Sequence, residues 1–296
     1  MIWPSGQSIA RALDDADARP APDLAPGALV IAGIEYPRLE PPPYLARMEE
    51  LGAAALAKVA AGAGAEGPLH ARVEAVNAYL FGEQGFQGNR DRYADVRNSC
   101  LNQVLDRRTG IPITLSVIYM DVARRAGLRA EGINFPGHFL VRVKDAAGPD
   151  PAKDAGLIVD PFNEGAILTE QDCRGLLARH DDSMSFSPDL LSRATRRQVF
   201  VRMLVNLKRL YVQSRSFPQA RAVSEALLTL TPSSLSELRD RGLLSYHLHD
   251  YAAALRDLEE YLRLLTLTDK GEEEREETAQ VWDHVKTLRR RVASLN

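Results

Sequence analysis

GHFLVRV at residues 137–143 and GLIVDPF at residues 156–162 decide how the middle of this chain folds. Each is an apolar run of strand length bounded by glycine or proline, and a third run, AEGINF at 130–135, precedes them. His138 stands early in one run and Asp160 ends the next. Neighbouring strands arranged in this way hold an imidazole against a carboxylate, the base and the orienting group of a nucleophilic triad. An obvious nucleophile is missing from the place where one is expected, and most of the functional question turns on that.

Upstream, RRTGIPITLSVIYMDVARRAGL from Arg107 reads as a helix. Pro112 suits a first turn, and Ile113, Val117, Met120 and Ala123 recur on one face. Arg124 and Arg125 sit where the helix dipole favours cations, and Gly127 is placed to stop it. A helix followed by three strands predicts an α+β layer in which the helix packs on an antiparallel sheet. Further back, prolines at Pro37 and 41–43 separate two helices, the second over Tyr44 to Ala60, and a third runs over about Pro68 to Phe81. Gly82, Gly85 and Gly88 predict an irregular loop, after which Asp95 or Asn98 caps a helix over about Ser99 to Arg107.

At 296 residues the chain is long enough for two domains. A net charge of -3, with both signs spread along the sequence, argues against nucleic acid or an acidic membrane as partner. No run has the length of a membrane span and no signal pattern opens the chain, so a cytoplasmic globular protein is expected. Residues 1–27, rich in Ala, Asp and Pro, read as a loosely ordered leader. The two cysteines, Cys100 and Cys173, lack CxxC spacing, and the six histidines form no ligand cluster, so neither a metal nor a cofactor is expected.

Near residues 185–192 the pattern changes from mixed elements to continuous helical periodicity. Phe217 and Ala220 recur 34 residues later as Tyr251 and Ala254, and Pro232 closes the first unit. Leu204, Leu207 and Tyr211 in the first unit, and Gly242, Leu258 and Tyr261 in the second, fill the remaining positions of a pair of closely packed antiparallel helices. This resembles the tetratricopeptide repeat. The expected domains are therefore 28–185 and 193–296, with repeats over about 201–234 and 235–268 and a capping helix over about 273–293. The repeats either form a concave groove for a partner or stabilise the other domain.

The runs NSCLNQVLDRRTGIPITLSVIYMDVARRAGL, GINFPGHFLVRV and VDPFNEGAIL together resemble the SirB1 family of bacterial proteins, in which a transglutaminase-like domain is joined to tetratricopeptide repeats. The resemblance implies a papain-like, transglutaminase-type core followed by an all-α repeat domain, with catalytic positions in the order Cys, His, Asp. The histidine falls on His138 and the aspartate on Asp160. The cysteine position, at the N-terminus of the preceding helix, falls around Pro112 to Thr114, where no cysteine stands. Thr114 carries a hydroxyl that needs a base aligned on it. Cys100, behind Asn98 and Ser99, is the other candidate nucleophile.

Asn98, Asn134 and Arg142, with Arg107 and Arg108, are candidates to line a cleft around the pair. The resulting expectation is a non-catalytic module, a pseudoenzyme, that binds a protein or peptide. The alternative is a cysteine-dependent amidase, protease or acyltransferase using Cys100, His138 and Asp160. The pair itself has two readings: a binding cleft for a carbonyl or carboxylate, or a buried polar pair kept for packing.

Overall fold

The computed structural model describes residues 5–18, 23–146, 156–265 and 272–293. The polar loop expected from Pro149 to Asp154 lies outside them. The chain divides into two compact units, one over Asp15–Met203 and one that joins Met1–Asp14 to Leu204–Asn296.

Helix α1 (Gly6–Asp17) corrects the expectation of a loose leader. Ile9, Ala10, Leu13 and Ala16 are buried along one stripe, so the Ala and Asp content belongs to the small and polar faces of an amphipathic helix. Composition alone hides this because alanine serves disorder and tight helix packing equally well.

In the unit over Asp15–Met203, α2 (Ala25–Glu35) and α3 (Pro41–Gly62) are separated by prolines, as the sequence predicts. The third helix is shorter than expected. α4 (Leu69–Asn77) passes into a π-helical turn over Ala78–Glu83, then the short strand β1 (Gln87–Gly88). α5 (Leu101–Arg107) follows, and β2 (Thr109–Gly110) pairs with β1 in parallel.

The central helix is α6 (Pro112–Arg125). Its residues from Pro112 to Ala123 are all buried, so the predicted one-sided stripe understates its burial. The fixed φ of Pro112 suits the first turn, and Gly127 takes φ +81° just past the end. α6 packs on a sheet of four antiparallel strands in sequential order: β3 (Leu128–Ile133), β4 (Leu140–Asp145), β5 (Leu157–Asp160) and β6 (Ala166–Leu168). Gly132 lets the Phe139 ring and Met120 close over the strand, since a Cβ there would lie 2.8 Å from the ring. The opposite face carries Ile133, Leu140 and partly buried Ile158, which pack with Cys173 and Leu177 of α7 (Glu170–His180).

One buried carboxylate ties α6 to α2. Both oxygens of Asp121 accept from the Leu24 N–H at 3.1 Å, one also accepts from the Ala25 N–H at 2.9 Å, and Arg124 pairs with the group. These donors are among the N–H groups that the first turn of a helix leaves unpaired. Burial nevertheless pushes the Asp121 carboxyl up to about 6.

The repeats run through α8 (Arg196–Gln213), α9 (Phe217–Leu230), α10 (Leu235–His247) and α11 (Tyr251–Leu265). Ala220 and Ala254 are fully buried and Gly242 sits against Leu258, the close approach that small residues allow. α12 (Glu272–Ala293) packs Val281, Val285 and Leu288 onto Leu258, Tyr261, Leu262 and Leu265. Within this unit the Gly6 N–H at the start of α1 donates to Glu225 of α9 at 3.0 Å. Among the described residues no helix is long and apolar enough to cross a membrane.

Candidate functional site

The turn between β3 and β4 presents His138. The Phe135 carbonyl accepts from the His138 N–H at 3.1 Å, and Gly137 takes φ +67° with the His180 ring against its α-carbon. Side chains with a Cβ rarely adopt that φ, and one here would meet the His180 ring at 2.4 Å.

Asp160 ends β5, and its carboxylate caps the 3₁₀ turn over Pro161–Asn163. Oδ1 accepts from the N–H groups of Phe162 at 3.1 Å and Asn163 at 3.3 Å, and Oδ2 accepts from the Asn163 side-chain amide at 2.6 Å. His138 Nε2 lies 2.9 Å from Oδ1. With a carboxylate accepting on that side, Nε2 carries a hydrogen, and Nδ1 is the ring nitrogen turned away from Asp160. Asp160 is 1% exposed, whereas the His138 side chain keeps 13% of its surface. Among the described residues, no group of three His, Cys, Asp or Glu side chains is arranged to hold a metal ion.

Aromatic rings extend the site. Phe162 stands edge-on to His138, with centroids 5.9 Å apart, and Tyr93 stands edge-on to Phe162 at 6.1 Å. Arg90 lies 6.0 Å from the Phe162 centroid and donates to Asn163 Oδ1. Gly88 makes this possible, because a Cβ there would come within 2.6 Å of the Phe162 carbonyl. Asn77 donates to the Gly165 carbonyl at 2.7 Å and fastens the far side of the same turn. Beside Asp160 and Asn163 a cleft of about 400 Å³ is lined by Leu168 and, from α7, Gln171, Leu176 and Arg179.

Both candidate nucleophiles donate to main-chain carbonyls. Thr114 is fully buried, and its hydroxyl donates to the Asn98 carbonyl at 2.7 Å while accepting from the Ile111 N–H at 3.1 Å. It closes the first turn of α6. Cys100 is 0% exposed and its thiol donates to the Val96 carbonyl at 3.5 Å. Burial pushes that thiol up, and Glu35 and Asp95 add to the effect, the reverse of an activated thiolate. Cys173 is also buried and pushed up, to about 11, first by burial and then by acidic neighbours including Asp160.

The proposed lining residues occupy several places in the unit over Asp15–Met203. Asn98 is buried under the loop before α5, donating to the carbonyls of Arg92 and Tyr93 and accepting from Asn89, with Arg107 at 3.4 Å. These bonds hold the loop that carries Arg90 and Tyr93. Arg142 sits on β4 beside Cys173, and Arg108 caps α5 with φ 56°. Asn134 accepts from Arg202 at 3.2 Å. Sequence reasoning missed Arg90, Tyr93, Phe162, Asn163 and Arg202. The available signal was the polar and aromatic cluster NRDRY at 89–93, next to glycines that admit close approach.

Two family profiles match the chain, one described as transglutaminase-like superfamily over residues 43–205 and one as tetratricopeptide repeat over 207–289. A UPF0162 protein of Xylella fastidiosa is 40% identical over 202 residues, covering 67% of this chain and 69% of its own length. A UPF0162 protein of Pseudomonas aeruginosa is 30% identical over 265 residues, covering 88% and 90%. Protein SirB1 of Salmonella typhimurium is 30% identical over 189 residues, covering 63% and 67%. No solved structure matches. A transglutaminase-like core with a central helix on an antiparallel sheet, tetratricopeptide repeats after it and these relatives together place the chain in the SirB1 (UPF0162) family.

Proposed function

We propose that this protein binds a protein or peptide segment at the His138–Asp160 cleft without acyl transfer, acting in the cytoplasm as an interaction module. Transglutaminase-like and tetratricopeptide domains suggest protein interaction in general. The observation that carries the finer reading is an oriented imidazole beside a carboxylate with four donors, while the nearby hydroxyl and thiol are tied to main-chain carbonyls. Oriented groups of this kind remain useful for fixing a peptide's amides even where no atom is poised to attack. The 400 Å³ cleft and the Phe162 and Tyr93 rings provide apolar surface beside those polar groups.

The test is partner capture by the full chain from cell extract, compared with His138→Ala and Asp160→Asn. We expect both substitutions to remove the same captured protein while circular dichroism stays unchanged. Capture that survives both substitutions would move the interaction away from this cleft, to the repeats. Peptide turnover that vanishes with Cys100→Ala would replace the binding reading with a cysteine enzyme.

A further inference from the structure

Two arginines near the His138 turn have neutral amides as their hydrogen-bond partners. Arg202, on α8, is half-buried, and its guanidinium donates to the neutral side-chain amide of Asn134. Burial pulls its pKa below the usual arginine range, with only the Tyr93 hydroxyl acting the other way. Arg90 is held by the Asn163 amide and lies over the Phe162 ring. Among the described residues neither guanidinium meets a carboxylate.

The half-buried guanidinium of Arg202 is drawn partly out of water without a counter-charge, a cost relieved when an anion binds, whereas Arg90 is exposed and adds its charge from solvent. Both arginines belong to the candidate site. Asn134 opens the turn that presents His138, Tyr93 faces Phe162, and Phe162 faces His138. Tyr93, 49% exposed, and Phe162 form an edge-on aromatic pair, with Arg90 beside Phe162. An arginine fork suits a planar carboxylate, and aromatic surface suits the chain that carries it.

We propose that Arg202 and Arg90 receive a carboxylate of the bound peptide, either its C-terminal group or an acidic side chain, next to the His138–Asp160 pair. This assignment rests on the peptide-binding reading of the cleft and names what that cleft selects.

Fluorescence anisotropy on the full chain tests it with three fluorescein-labelled octapeptides built from Gly, Ala and one Phe. One has a free C-terminus and neutral side chains, one an amidated end and one Glu, and one an amidated end with no acidic residue. The expected result is at least about tenfold tighter binding for one or both carboxylate peptides over the neutral one, an advantage that shrinks as salt is raised. Which of the two binds identifies the source of the carboxylate. Arg202→Gln is expected to reduce the advantage to about threefold or less, and Arg202→Lys to retain part of it.

Equal binding of all three peptides, or an advantage that survives both Arg202→Gln and Arg90→Gln, overturns the proposal. If binding is charge-independent but lost in His138→Ala, the cleft reading stands and the carboxylate assignment falls. If none of the three binds, both fall.

Discussion

Two buried aspartates, one on the central helix and one at the end of a strand, share main-chain donors but differ in their further partners. Asp121 is wholly enclosed and accepts from the main chain of Leu24 and Ala25, with Arg124 alongside. Asp160 also accepts main-chain N–H groups, from Phe162 and Asn163, but its further partner is an imidazole that keeps a nitrogen for something else. Burial and hydrogen-bond number are similar in the two. What differs is whether a partner has an unused polar atom beside a cleft.

The contrast breaks most visibly by substitution. Asp121→Ala removes the acceptor of two N–H groups at the start of α2 and the carboxylate beside Arg124, and is expected to cost about 3–5 kcal/mol in urea denaturation. Asp160→Asn retains an acceptor for the 3₁₀ turn and is expected to cost about 1–2 kcal/mol, while abolishing partner capture. The reverse ranking would mean that the roles of the two carboxylates are exchanged.

A smaller effect comes from pH. The folded pKa of Asp121 is raised above its unfolded value by burial, so the native state holds that proton more tightly. Its contribution to stability is fully present below about pH 4 and is lost as pH rises through about 6, amounting to about 3 kcal/mol. Urea midpoints between pH 4 and 7 should carry this loss, and Asp121→Asn should lack it.

The difference between the two aspartates also explains what was legible in the sequence. Asp160 ends an apolar run just before a proline, so position alone marked it and, with GHFLVRV, the sheet and the pair. Asp121 interrupts an apolar helix between Met120 and Val122, and nothing local reveals that its partners lie 97 and 96 residues away. The same limit hid Arg202, which reaches Asn134 across 68 residues. Asn98 was a candidate both to line the cleft and to cap a helix, and its amide holds the carbonyls of Arg92 and Tyr93 in a loop whose contacts with Phe162 and Asn163 are tertiary. The leader was misread because helix α1 depends on a buried stripe of mostly small residues, Ala10 and Ala16 among them. Periodicity, proline placement and the 34-residue repeat conveyed the architecture, since these are properties of neighbouring residues.

The central claim is that an oriented imidazole persists here without a nucleophile beside it. Alkylation by iodoacetamide at mildly acidic pH, followed by intact mass and peptide mapping, tests it most directly. The expected result is that Cys100 and Cys173 stay unmodified in the folded protein, identically in wild type and His138→Ala, and react only after denaturation. Rapid alkylation of Cys100 in the folded protein that disappears in His138→Ala would place a working thiolate at the imidazole and contradict the account.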